Sequence, residues 1–151
     1  MIDNPNPAEL LPEQKALRRR SRARELALQA LYLADMRGPD ARDEVAQYIK
    51  AQTDSPDVLE FATALVEGVS RQREQIDERI AAIAQNWQIH RMAVVDRNIL
   101  RIGTFELTTL PDIPPKVSIN EAIELAKRYS TADSGAFVNG ILDKIRTELG
   151  R

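Results

Sequence analysis

The sequence predicts an all-α fold, and three observations carry that expectation. Apolar residues recur at the 3.6-residue helical period from Ala23 to Leu149, no segment alternates with the period of two that a strand requires, and the composition is rich in Ala, Leu, Ile, Arg and Glu but holds only six glycines. At 151 residues the chain can bury about two thirds of its unfolded surface, enough for one domain or for two small bundles sharing a core.

The elements follow in order. Met1 to Pro12 hold three prolines and no apolar period, so a flexible leader is expected over 1–14 and a helical domain over 15–151. The first helix begins between Glu13 and Ser21, runs through Ala23, Leu26, Ala27, Ala30, Leu31 and Ala34, and stops at Gly38 and Pro39. A short helix passes through Val45, Tyr48 and Ile49. Ser55 then has the chemistry of an N-cap and Pro56 that of a first helical residue, opening a stripe of Val58, Phe61, Ala62, Leu65, Val66 and Val69. The same phase continues through Ile76, Ile80 and Ile83, as one long helix or as two joined near Gln72 to Gln75. The loop Asn86 to Arg91, with the only Trp and the only His, separates an N-terminal helical group of about 15–85 from a C-terminal one of about 86–151.

In the second half, Met92, Val95, Ile99, Ile102, Leu107 and Leu110 mark a helix ended by the turn PDIPPK. Ser118 and Glu121 have capping-box spacing ahead of the face formed by Ile119, Ala122, Ile123, Ala126 and Tyr129. A last helix runs through Phe137, Val138, Ile141, Leu142, Ile145 and Leu149, capped by Asp133 or Ser134. Gly140 in its interior predicts a close helix crossing, since glycine there costs about 1 kcal/mol relative to Ala.

Charge is polarised. Lys15, Arg18, Arg19, Arg20, Arg22 and Arg24 fall together without an intervening acid, leaving fifteen positive residues against 23 negative ones elsewhere in a chain of net charge −2. Guanidinium forks pair with phosphate oxygens and release condensed counterions, so the cluster fits nucleic acid; a solvated basic arm is the other reading. Cations at a helix start oppose the helix dipole, a mismatch that a bound phosphate relieves.

Catalytic chemistry is not legible. Without cysteine there is no disulfide, thiolate metal site or thiol nucleophile, and His90 alone cannot build a histidine metal cage. Nucleotide-binding glycine motifs and nucleophile elbows are missing. No cofactor, metal or enzymatic activity is expected, and no apolar run reaches the roughly 18 residues of a membrane span, so a cytoplasmic location is the default. Carboxylates such as Asp77 with Glu78 and Glu121 with Glu124 read as solvated surface. Asp96, Arg97, Arg101 and Glu106 are expected on the polar face of their helix, open to solvent or a partner.

The blocks RRRSRARELALQALYLADM, VDRNILRIGTFELTTLPDIPPKVSINEAIELAKRYS and FVNGILDKI, in that order across about Arg18 to Ile145, resemble the NusB family of bacterial transcription antitermination factors; INEAIELAK with FVNG downstream is the most specific part. The resemblance implies two small helical bundles that bind the single-stranded boxA element of ribosomal RNA leader transcripts together with NusE, a small-subunit ribosomal protein, within the antitermination complex of RNA polymerase. It places Arg18, Arg19, Arg20, Arg22 and Arg24 in the basic RNA-binding motif, with Glu25, Gln29 and Tyr32 in its continuation and Asp133 and Phe137 near the RNA path. Asp96 matches a NusE contact on a helix that also carries Arg101 and Glu106. Ser21 stands where relatives often have another arginine. A homodimeric adaptor with a masked arginine face is the alternative, since some family members are dimers; the NusB-like domain of a ribosomal RNA methyltransferase is a further relative, although this chain has no room for that catalytic fold.

Overall fold

The structure, a computed structural model, describes residues 6–85 and 89–151. The start of the leader and Trp87 lie outside the described residues, as does the side chain of His90. Seven α-helices and three short 3-10 turns (Pro7–Glu9, Pro39–Ala41 and Ile89–Arg91) account for the regular structure of the described residues, which hold no strand.

Helix α1 spans Pro12–Arg37. It starts earlier than the leader boundary at residue 14 because Pro12 is a competent first helical residue and the Gln14 side chain accepts from the Leu11 backbone N–H at 2.9 Å. Gly38, at φ 92°, ends it in a conformation open to glycine, and its N–H donates to the Ala34 carbonyl. Helix α2 covers Arg42–Gln52. Helix α3, Pro56–Arg71, has Ser55 as its cap, with Oγ accepting from the Val58 N–H. The shared apolar phase of the middle segment resolves as two helices, for α4 runs over Arg73–Ala84 after a break at Gln72.

Helix α5, Val94–Thr109, is buried on every side from Asn98 to Leu107. It is the hub: α1, α3, α4, α6 and α7 all pack on it. Helix α6 is Pro115–Tyr129 and α7 is Ser134–Glu148. Among these, α1 packs with α2 and α3, while α5, α6 and α7 pack on one another, and a single apolar cluster runs through both groups.

Two local expectations are corrected. Ser118 lies inside α6, which begins at Pro115, so Ser118 and Glu121 form no capping box; both side chains reach other helices instead. Gly140 is exposed, with nothing within 4 Å of an added Cβ. The close crossings use other glycines. A Cβ on Gly68 of α3 would overlap the Phe105 ring of α5, and one on Gly103 of α5 would lie 2.7 Å from Leu142 Cδ1 of α7. The packing that needs glycine is thus where α5 meets its neighbours.

Opposite outcomes are expected for the same substitution. Gly68→Ala, which must push an aromatic ring into a close-packed core, should destabilise by about 1–3 kcal/mol. Gly140→Ala should stabilise by up to about 1 kcal/mol through helix propensity alone. Urea melts of both variants check the pair.

Candidate nucleic-acid interface

The helical phase of α1 splits the basic cluster into three groups. Lys15, Arg18 and Arg22 share one exposed stripe that continues through Glu25, Gln29 and Tyr32. Arg18 makes no ion pair among the described residues. Arg22 Nη1 stands 3.0 Å from Glu25 Oε2, and Tyr32 is 46% exposed. Arg19 and Arg20 lean toward α3: Arg19 Nε approaches Asp57 Oδ2 at 3.3 Å, and the Arg20 guanidinium sits 4.5 Å above the Phe61 ring. They line a groove of about 340 Å³ with Asp57, Glu60 and Phe61.

Arg24 belongs to neither group. Expected in the basic RNA-binding motif, it is 1% exposed. Its Nε donates to Glu106 Oε2 at 2.9 Å and its Nη2 to Glu106 Oε1 at 2.7 Å. Ser118 Oγ donates to the same carboxylate at 2.9 Å. Glu121 Oε1 lies 3.6 Å from Arg24 Nη1 and accepts from Ser21 Oγ at 2.5 Å. The carboxylate of Glu106, itself 1% exposed, therefore holds Arg24 as a fork, and neither side chain can reach RNA or a protein partner while the helices stay packed. Arg24 lies one and two turns before Leu28 and Leu31, so its place on the apolar stripe was the signal for this burial.

Arg101 is corrected in the same way. Expected on a partner face, it is 3% exposed and donates from Nε and Nη2 to the two oxygens of Asp77 at 2.8 and 2.9 Å. Its Nη1 donates to Asn98 Oδ1, and Asn98 in turn donates to Asp35 Oδ2 at 3.0 Å. Arg73 and Arg97 also approach Asp35, at 3.2 and 3.9 Å. This second network joins the C-terminal half of α1 to α4 and α5. Asp96 is part-buried and committed as well: its carboxylate accepts from Ser130 Oγ at 2.6 Å and from Ser134 Oγ at 3.1 Å, tying the start of α5 to the turn between α6 and α7. Asp96→Lys would break these bonds, contrary to the expectation of an exposed, inert site.

Asp133 is exposed at the cap position of α7 without a side-chain cap bond, and Phe137 is half-buried against the core. Both stand on α7, which packs on α6. One residue of α6 that the sequence did not single out does meet the arginine stripe: Arg128 bonds Glu25 across the gap from α1, and its guanidinium lies 6.0 Å from the Tyr129 ring centre. Burial pushes the Tyr129 hydroxyl above the usual phenol range; the Glu25 carboxylate adds to the rise and Arg128 opposes it, so the phenol is protonated at neutral pH. Between the two helices runs a groove of about 720 Å³ with Leu17, Val117 and Leu125 among its apolar lining.

An all-helical bundle that displays a cationic helix face beside a groove is the class that fold and site define. The chain belongs to the NusB family, whose sequence profile matches residues 21–147. It is 48% identical over 132 residues to the transcription antitermination protein NusB of Anaeromyxobacter dehalogenans, covering 87% of this chain and 92% of that protein. It is 45% identical to the protein of the same name from Myxococcus xanthus, over 87% of this chain and 97% of the relative. Among solved structures, T. maritima NusB superposes with a TM-score of 0.76 at 41% identity, covering 85% of this chain and 91% of that one. A structure of antitermination factors NusB and NusE in complex with double-stranded RNA matches with a TM-score of 0.78 at 32% identity, over 87% and 98% of the two chains.

Removing one member of the buried pair tests its role. Arg24→Ala should cost about 3–5 kcal/mol by leaving Glu106 charged and unpaired, which for a domain of this size lowers Tm by at least about 6 °C. Calorimetric melting measures it.

Proposed function

We propose that the chain is a non-catalytic transcription antitermination factor that binds the single-stranded boxA element of ribosomal RNA leader transcripts, acts with NusE, and helps RNA polymerase resist termination in the cytoplasm. The observation that carries the reading is the exposed stripe of Lys15, Arg18 and Arg22 on α1, which the buried Arg24–Glu106 pair holds facing outward. Repeated guanidinium forks on one rigid helix face suit a run of phosphates, and Tyr32 on the same stripe offers a ring on which an unstacked base can rest. Membership of the NusB family supports the same partners, and no helix of the described residues is long and apolar enough to cross a membrane.

Each phosphate engaged on a single strand contributes about 0.7 to the slope of log K against log salt. Arg18→Gln with Arg22→Gln should flatten that slope by about 1.4 for a boxA oligonucleotide, read by fluorescence anisotropy across a salt series. An unchanged slope would put the phosphates elsewhere.

The NusE surface is assigned to the corner where α5 begins and α6 turns into α7, around Asp96. Asp96→Asn keeps one oxygen to accept from a serine hydroxyl, offers an N–H to the other, and removes the charge. It should weaken NusE several-fold in calorimetry while RNA binding by the isolated chain holds, and an unchanged Kd would take Asp96 out of the interface.

One observation favours a second reading, a homodimeric adaptor. The exposed large apolar side chains among the described residues, Leu11, Leu17, Tyr32 and Met36, all lie on α1 or at its cap. Such residues beside the arginines could bury the stripe against a second copy. Light-scattering mass with and without the boxA oligonucleotide separates the two, since a masked face requires a dimer that RNA dissociates.

A further inference from the structure

We propose that Arg22 of α1 and Arg128 of α6 form a phosphate clamp across the α1–α6 groove, and that the Glu25 carboxylate is its built-in occupant, displaced when an RNA phosphodiester enters. The inference deepens the RNA-binding reading and rests on it.

Glu25 divides its two oxygens between two helices. Oε2 pairs with Arg22 Nη1 at 3.0 Å, and Oε1 pairs with Arg128 Nη1. The carboxylate is only 15% exposed, whereas the side chains of Arg22 and Arg128 are 44% and 66% exposed, so both forks reach water above the anion that joins them. A phosphodiester has two non-bridging oxygens and one negative charge, the same count as a carboxylate, and it fits guanidinium forks as well. Two cations around one carboxylate leave a net positive charge at the mouth of the groove. The site attracts an anion even with Glu25 in place.

The other acids of the groove are engaged away from the clamp. Glu121 faces Arg24 at 3.6 Å and accepts from Ser21, and Glu124 faces Lys127 at 3.5 Å. Protonated Tyr129 adds no negative charge beneath Arg128. Both arginines face water, so each can take a second anion at little cost. The groove behind the clamp has room for a base beside the bound phosphate, with Leu17, Val117 and Leu125 to pack on it and the Asn120 amide to bond its edge. Glu25 then acts as a competitor that a strand must outbid, which weakens the hold on polyanions reaching only one of the two arginines.

The test uses the full chain and a fluorescent single-stranded RNA carrying boxA. Glu25→Gln should tighten binding several-fold. Arg128→Gln should weaken it and make the salt slope shallower by about 0.7. In the Arg128→Gln background the gain from Glu25→Gln should shrink by half or more, because Glu25 acts through that guanidinium. Equal gains in both backgrounds would reduce Glu25 to a distant repulsive charge and overturn the clamp, as would an unchanged slope in Arg128→Gln. That slope decides the matter alone if Glu25→Gln fails to fold. A poly-glutamate peptide of equal length competing as strongly as the RNA, with the same dependence on Arg128, would assign the site to a carboxylate-bearing protein and also overturn it. If neither wild type nor Glu25→Gln binds RNA at low salt, the RNA reading falls and the clamp with it; if wild type binds and Glu25→Gln changes nothing, only the clamp falls.

Discussion

The interaction on which the rest depends is the fork between Arg24 and Glu106. Two full charges lie inside a helical core, each 1% exposed, and their desolvation is offset only because every part of the contact is satisfied: two parallel bonds, a serine hydroxyl on the carboxylate, and Glu121 and the Phe61 ring beside the guanidinium. A well-packed apolar pair would give comparable stability. What an apolar pair would not give is direction. A fork admits one rotation of α1 about its axis and one height relative to α5 and α6, and that rotation decides which arginines face water.

The second polar network works at the other end of the same helix. Asp35 is eleven positions after Arg24, about 16 Å along a helix, and it gathers Asn98, Arg73, Arg97 and Arg101 from α4 and α5. With α1 fixed at two points to the buried α5, Glu25, Gln29 and Tyr32 lie between the anchors, and Arg22 and Arg18 project from the same continuous helix within two turns before the first. Ordered side chains on a rigid helix lose less freedom on binding than a disordered basic arm would, which is the physical difference between this surface and the solvated tail that composition alone equally allows.

The helices were legible in the sequence because their signals are local. Pro56 opens a helix, Gly38 closes one, and the apolar period selects the buried face, whereas the starts at Pro12 and Pro115 fall in stretches that read as leader and turn. The exposed stripe of Lys15, Arg18 and Arg22 was legible as charge. The roles of Arg24, Arg101 and Glu106 were not, since assigning a charged residue to solvent is right until a partner of opposite sign is brought to it from far along the chain, 82 positions away for Arg24. Their phase carried the missing information: Glu106 follows Ile99 and Ile102 at helical spacing and sits between Phe105 and Leu107, a position that only a paired charge can hold. Gly140 misled for the same reason. A glycine within a helix shows that something is allowed to approach, but only the tertiary arrangement shows that Phe105 and Leu142 approach Gly68 and Gly103 instead.

Arg151 closes the corner after α5. Its guanidinium donates to the carbonyl of Leu107 at 2.8 Å and to those of Pro111 and Ile113 at 2.9 and 3.2 Å, oxygens that the end of a helix and a proline-rich turn leave without N–H partners. The corner is therefore finished by a residue 38 to 44 positions further along. During synthesis from the N-terminus, α1 to α5 emerge and can begin to assemble while these carbonyls still face water, and the latch closes only after α7 has been made. The hub helix is thus the middle of the fold in space and among the last parts to be sealed in time.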